Sequence, residues 1–248
     1  MPEGDTIHRT ANRLRAVLVG QPLVRFDAPR ATGKRPTPGT PIDAVDAVGK
    51  HLLIRFAGGT TLRTHMRMTG SWHLYRTGER WKKPKHLARA VVEVEGWTAV
   101  CFAAPVVELE SDPAADASVA HLGPDLTSTA VTDADIERAV DRMTDAEIGV
   151  VLLDQRVACG IGNIWKNETL FLCGVDPFRR AADVDRETKR ALIATASKLL
   201  RASVRGVPAP GNVYGRARRP CRRCGTPIRS QRQGERARTA YWCPTCQK

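Results

Sequence analysis

The strongest constraint on the fold of this chain lies near its end. Cys221-x-x-Cys224 and Cys243-x-x-Cys246 are separated by 18 residues. Each pair can set two thiolates on one tight turn, and two such turns make a tetrahedral four-sulfur site. The stretch between them, with Gly225, Ile228 and Tyr241, fits a β-hairpin. It has too few apolar residues for a core of its own, so a metal has to supply its folding free energy. The expectation is one structural zinc ion held by Cys221, Cys224, Cys243 and Cys246. Four thiolates leave no coordination position open, so zinc is given no catalytic role. Cys101, Cys159 and Cys173 sit among apolar neighbours and read as small core residues. The start, MPEGDTIHRT, has no basic-then-apolar leader, so a cytoplasmic protein is expected, and seven cysteines without a secretion signal point to metal or buried thiols rather than a disulfide framework. No apolar run reaches the roughly 18 residues of a membrane span.

The charge is distributed unevenly. The 248 residues carry 39 Lys and Arg against 26 Asp and Glu, a formal net charge of +13. From Arg201 to Lys248 there are eleven Arg and one Lys against the single acid Glu235. From Ala90 to Glu137 there are ten acids and no Lys or Arg. One basic face and one acidic face suit a polyanionic partner, and nucleic acid is the obvious one.

Hydrophobic spacing divides the chain into two kinds of structure. Ile7, Ala11, Leu14, Val17 and Leu18 recur at helical spacing after Pro2, Glu3 and Asp5, and Gly20 and Pro22 end that helix. Five short runs then read as strands, at 53–56, 61–66, 71–75, 90–94 and 98–102, in a sandwich or barrel pattern. Residues 30–41 read as a loop. Trp81, Lys82, Lys83 and Lys85 form a basic loop that reads as solvated surface, with a phosphate contact as the alternative. Residues 133–143, 146–157, 164–172 and 185–204 read as helices. The fold class is α+β multidomain: a β-sandwich domain at 1–110, a linker at 111–132, a helical domain at 133–210 and a zinc finger at 211–248.

Processing adds a chemical possibility at the first residues. Removal of Met1 exposes Pro2 as a secondary amine. An α-amino group has a reference pKa of about 7.7–8.0, and the positive end of a helix disfavours its ammonium form further. Pro2 is therefore a candidate nucleophile for an electrophilic carbon, forming an iminium, with Glu3 beside it to move protons.

MPEGDTI at the start, VGKHLLIRF in the centre, LLDQRVACGIGNIWKNETLF in the helical half and VYGRARRPCRRCG with RTAYWCPTCQK at the end occur in this order. Together they resemble the formamidopyrimidine-DNA glycosylase / endonuclease VIII family of bifunctional base-excision repair enzymes. The resemblance spans the chain. It implies a β-sandwich with an initial helix, a helical domain with a helix–two-turns–helix motif, a zinc-finger hairpin, and DNA between the halves. It implies Pro2 as nucleophile, Glu3 as proton donor, Lys50 as the group at the sugar and its phosphate, and Arg238 as the grip on the phosphate flanking the lesion. Asn163, with Gly160 and Gly162 before it, would meet the DNA backbone at a helix start. Damaged duplex DNA is the implied partner, with the protein a monomer that needs no small-molecule cofactor.

A nucleotide flipped out of the duplex leaves a gap. The resemblance places Arg67-Met68-Thr69 there, with Met68 as the apolar wedge and Arg67 reaching the opposite base. Two departures favour the endonuclease VIII branch and oxidised pyrimidines. Phe102-Ala-Ala-Pro-Val-Val-Glu108 lacks the arginine and phenylalanine of the 8-oxoguanine members, and only 206–212 separates the last helix from Val213. His121 stands where that branch has an arginine. Cys159 and Trp165 replace commoner residues, with Trp165 expected to keep a flat face. The function implied is a DNA glycosylase with β,δ-lyase activity. The competing readings are a non-catalytic zinc-ribbon protein that recognises abasic or distorted DNA, and a ribosomal RNA-binding protein.

Overall fold

The structure is a computed structural model that describes residues 2–235 and 237–248; Met1 and Arg236 lie outside the described residues. Two compact units meet after His121 in the sequence.

The first unit begins with helix α1 (Gly4–Leu18). Glu3 is its extended N-cap residue, and the Glu3 carbonyl accepts from the N–H groups of Thr6 (3.0 Å) and Ile7 (3.1 Å). Ile7, Ala11, Leu14 and Leu18 form the buried stripe. Eight strands follow: β1 (Arg25–Asp27), β2 (Ile42–Val48), β3 (His51–Phe56), β4 (Thr60–His65), β5 (Ser71–Arg76), β6 (Ala88–Val94), β7 (Trp97–Phe102) and β8 (Val106–Ser111). They form two antiparallel four-stranded sheets, ordered β1-β6-β7-β5 and β2-β3-β4-β8. Side chains from both sheets, among them Val45, Ile54, Val92 and Cys101, join the α1 stripe in one core. Each such side chain contributes about 1.5–3 kcal/mol by leaving water. This is the expected sandwich with its initial helix.

β1, β2 and β8 were not among the strands expected from the sequence. β2 carries Asp43 and Asp46 and β8 carries Glu108 and Glu110, which obscure the apolar alternation. Three of these acids are paired in the fold: Asp46 takes Arg55, and Glu108 and Glu110 take Arg63.

The segment expected to be a linker begins with helix α2 (Asp112–Val119). Ser111 is its N-cap residue, Pro113 is in its first turn and Asp112 meets its positive end. Ala115 is buried, and Arg55 bonds Asp116 at 2.6 Å. A composition of Ala, Asp and Pro suits a short helix start as well as a loop, and packing decides between them.

The second unit holds α3 (Asp133–Asp141), α4 (Ile148–Val151), α5 (Asn163–Leu172) and α6 (Arg186–Val204), then the hairpin β9 (Arg229–Gln233) and β10 (Arg238–Trp242). Thr132 and Asp135 make a reciprocal capping box on α3, and Asp185 caps α6 through Thr188 N at 2.7 Å. Leu126, Ile148, Val151, Ile161, Leu192 and Leu200 are in its main core.

The helix expected over 146–157 is corrected to the four residues of α4. Beyond it, side chains capture the backbone in turns. Asp154 Oδ1 accepts from Arg156 N (2.9 Å), and Gln155 bonds the carbonyls of Leu153 (2.8 Å) and Ile161 (3.0 Å). These turns connect α4 to α5 as the helix–two-turns–helix motif. Among the described residues no helix is long and apolar enough to cross a membrane.

Candidate active site and metal centre

In the first unit, Pro2 is half-buried and Glu3 is only 1 % exposed. Their place is set by α1: a proline before the N-cap gives up no helix hydrogen bond, and the capping carbonyl of Glu3 fixes the entry of the chain.

Lys50 occupies the two-residue turn between β2 and β3. Val48 pairs with His51, and Gly49 takes the positive φ of 57° that such a turn requires. His51 in turn pairs with His65 at the end of β4, and their rings meet edge to face with centroids 4.6 Å apart. Arg63 Nη1 faces His51 Nδ1 at 3.3 Å, which makes that nitrogen the acceptor. Burial, then the charges of His65 and Arg63, push His51 down to about 3. Burial, then the charges of Lys50, Arg67 and Arg63, push His65 down to about 4. Both imidazoles are thus neutral at neutral pH.

The neutral His65 has a structural task. Its Nδ1 accepts from the backbone N–H of Arg67 at 3.1 Å. Arg67 adopts φ 44°, a left-handed conformation that is strained for a residue with a long side chain. Thr69 Oγ1 donates to Ala103 O at 2.9 Å, and any Cβ on Gly70 would lie 2.8 Å from Met66 backbone atoms. A tightly held turn therefore presents Met68, which is 58 % exposed. Lys50, His65, Arg67 and Met68 all belong to the end of the β3–β4 pair where His51 opposes His65.

In the second unit, Gly162 is the N-cap residue of α5. The Gly160 N–H, expected to be open to a phosphate, donates to Gln155 Oε1 at 3.1 Å instead. Asn163 is buried, and its Nδ2 donates to Thr239 O at 2.9 Å, on the residue that follows Arg238 in β10. Its Oδ1 is buried without a partner. The structure thus places Asn163 beside the strand that Arg238 opens. Trp165 lies in the helical core at 3 % exposure, so it offers no free face.

Sequence reading missed the polar interior of α5. Lys166, Asn167, Glu168 and Thr169 are all fully buried. Asn167 Oδ1 accepts from Tyr241 N at 2.7 Å, and Lys166 Nζ donates to Gln233 Oε1 at 3.4 Å. The Glu168 carboxylate accepts three backbone N–H groups, from Asn212 (2.8 Å), Val213 (3.0 Å) and Tyr214 (2.9 Å). One helix thereby fixes the hairpin and the chain that leads into it. The signal was present as four polar residues inside an apolar-looking helix, but periodicity does not say where such residues point.

The four expected cysteines come together. Their sulfurs all lie within 4.8 Å of one another, with Cys221 and Cys246 4.0 Å apart and Cys224 and Cys243 3.4 Å apart. Zn–S bonds of about 2.3 Å in a tetrahedron put sulfurs roughly 3.8 Å apart, so the donor set fits. Thr226 holds the Cys224 thiol down to about 6 by hydrogen bonding, while burial and the other sulfurs push Cys246 up to about 12. Four crowded thiols do not ionise together unless a cation compensates them. Phe171 of α5 joins Val213 and Ile228 in the small core beneath. Cys101 and Cys159 are buried and Cys173 is half-buried, as expected of core thiols.

Comparison with known proteins agrees with this geometry. Residues 1–105 match the formamidopyrimidine-DNA glycosylase N-terminal domain, and residues 122–209 match its H2TH domain. A Streptomyces coelicolor protein named "Probable endonuclease 8 2" is 41 % identical over all of this chain and 94 % of its own length. A DNA-(apurinic or apyrimidinic site) lyase of Mycolicibacterium smegmatis is 38 % identical over all of this chain and 99 % of its own. A formamidopyrimidine-DNA glycosylase of Geobacter sulfurreducens is 31 % identical over 100 % and 99 %. The fold is that of the Lactococcus lactis Fpg solved with an abasic site containing DNA, with a TM-score of 0.84, 21 % identity and full coverage of both chains.

Proposed function

Since this chain belongs to the formamidopyrimidine-DNA glycosylase / endonuclease VIII family, we propose that it excises oxidised bases, pyrimidines above all, and then cuts the abasic strand by β,δ-elimination through Pro2. It is a base-excision repair enzyme with glycosylase and lyase activities, and damaged duplex DNA is its substrate. The observation that carries the chemistry is the start of α1, where Pro2 precedes the buried, capping Glu3.

Each residue has a task in that reading. With Met1 removed, the Pro2 nitrogen attacks C1′ of the flipped nucleotide as the glycosidic bond breaks and the base leaves with a proton from Glu3. Glu3 takes the proton that the Pro2 nitrogen sheds and passes it to O4′ as the C1′–O4′ bond breaks, and the iminium formed by this ring opening acidifies the proton on C2′. Loss of that proton expels the 3′ phosphate, and a second elimination expels the 5′ phosphate, leaving a gap with phosphate at both ends. Lys50 and Arg238 hold the pivoting phosphates by charged hydrogen bonds. Met68 enters the gap in the stack and Arg67 meets the opposite base. Gly162 and Asn163 meet the backbone at the start of α5. Zinc, bound by Cys221, Cys224, Cys243 and Cys246, supplies folding free energy to the hairpin that carries Arg238.

Two features support the pyrimidine branch. Relatives named endonuclease 8 are more similar here than those named formamidopyrimidine-DNA glycosylase, at 41 and 38 % against 31 %. Only a short segment follows α6 before the Val213–Tyr214 backbone docks on Glu168.

Borohydride trapping on oligonucleotides that each hold one lesion or an abasic site tests the proposal. A covalent protein–DNA adduct is expected with the processed chain, and none when an N-terminal extension converts the Pro2 amine to an amide. Binding to abasic DNA with no adduct under any condition would favour the non-catalytic reading.

A further inference from the structure

The basic loop set aside as solvated surface has a different place in the fold. The segment after β5 crosses the outer face of the β1-β6-β7-β5 sheet, where Tyr75, Val91, Val100 and Phe102 form a second small core. Trp81 is stacked on Tyr75 (centroids 6.4 Å apart, planes at 27°) and meets Phe102 edge-on at 5.7 Å. The backbone N–H of Lys82 donates to the Tyr75 hydroxyl at 3.1 Å. A run of cations for which sequence favours solvated surface over a phosphate contact is therefore anchored by aromatic packing.

Beside this anchor is a half-open cavity of about 970 Å³. Seven Lys and Arg line it against three Asp and Glu. Among the described residues, only Arg25 of the seven has a carboxylate partner, Asp27 at 3.6 Å. Lys83 donates to the Ser71 hydroxyl (2.9 Å) and Arg89 to the carbonyls of His86 (3.0 Å) and Ala88 (3.2 Å). The side chains of Arg30, Arg80, Lys82 and Lys85 have no protein partner among the described residues. Of the acids, Glu79 is occupied by the backbone N–H of Arg76 at 3.0 Å.

The lining differs from sites in the same unit where a cation meets an acid directly, as Arg9, Arg55 and Arg63 do. Cations gathered unpaired around one concavity repel one another, and they gain when an anion with several charges enters. The lining favours charge over apolar contact, so a small apolar ligand is the wrong occupant. Repeated negative charge beside an aromatic anchor is the chemistry of a nucleic-acid strand.

We infer that this cavity takes a stretch of phosphodiester backbone in addition to the strand engaged at Pro2. The inference rests on the reading of the chain as a DNA repair enzyme and adds a second contact to it. The surface is an affinity device: it contacts phosphate, carries no base readout and takes no part in bond breaking.

The test is the salt dependence of binding to a fluorescent duplex that holds a tetrahydrofuran abasic analogue. The proteins are the full chain and its Arg80→Glu/Lys82→Glu/Lys85→Glu variant. Each phosphate contact contributes about 0.9 to the slope of log K against log salt. The variant should bind at least about tenfold more weakly at low salt, with a slope shallower by roughly 2 to 3. The neutral set Arg80→Gln/Lys82→Gln/Lys85→Gln adds no carboxylate, and its slope should fall by a similar amount; it decides the matter if the reversed set does not fold. Slopes and affinities equal to those of the unaltered chain in the folded variants would overturn the inference. Borohydride trapping by the unaltered chain is run alongside. Failed trapping with a changed slope removes the lyase and keeps the contact, whereas normal trapping with an unchanged slope does the opposite.

Discussion

Glu168→Gln is a small change in shape with a large expected effect. The side chain is fully buried, and its two carboxylate oxygens take three backbone N–H groups at 2.8, 3.0 and 2.9 Å. A hydrogen bond to a charged group contributes about 1.5–3 kcal/mol, against about 1 for a neutral pair. Glutamine can still accept from Val213 and Tyr214 with its one oxygen, so those two bonds weaken by about 0.5–1.5 kcal/mol each. Its NH₂ then faces the Asn212 N–H, two donors with no acceptor between them, which costs about 1–3 kcal/mol more. The sum is about 2–6 kcal/mol, centred near about 4. With a urea slope of about 2 kcal/mol per molar, the unfolding midpoint of the second unit should fall by about 2 M. Urea titration followed by tryptophan fluorescence, with amide exchange at Val213 and Tyr214, reads both the loss and its location. A midpoint within about 0.3 M of the unaltered chain would show that the three bonds add little over water, and the account of how α5 holds the hairpin would fail.

Removal of the metal by a chelator should raise amide exchange across β9 and β10 and weaken DNA binding, while the sandwich keeps its protection; exchange measured by mass spectrometry checks both parts. The His51–His65 pair predicts the pH response of the first unit. Folded values of about 3 and about 4 lie below the ordinary 6.5, so the unfolded chain takes up protons first as the pH falls. Stability that is fully present above about pH 6.5 should decline from there toward pH 4, and a His51→Gln/His65→Gln chain should show a flatter melting temperature over that window.

Some of this protein was determined by local order along the chain. The α1 stripe, five of the strands, the span of α6 and the spacing of the cysteine pairs are periodic or punctuated signals, and each depends on neighbours within a few residues. The fold of the family followed from sequence blocks for the same reason, and those blocks also nominated Pro2, Glu3 and Lys50. What failed depended on partners far away in the chain. β2 and β8 are strands because Arg55 and Arg63 take their acids, and α2 is a helix because Ala115 finds a buried site and Asp116 finds Arg55. The helix expected over 146–157 ends at Val151, where Asp154 and Gln155 side chains bond the backbone more favourably than continued helix would. Whether Lys166 and Glu168 face water or protein, whether Gly160 keeps a free N–H, and whether Trp81 floats or anchors a basic cavity were decided only by tertiary structure. A polar side chain has the same sequence signature in either place; burial with a partner distinguishes them, and partners are brought together only when the chain folds.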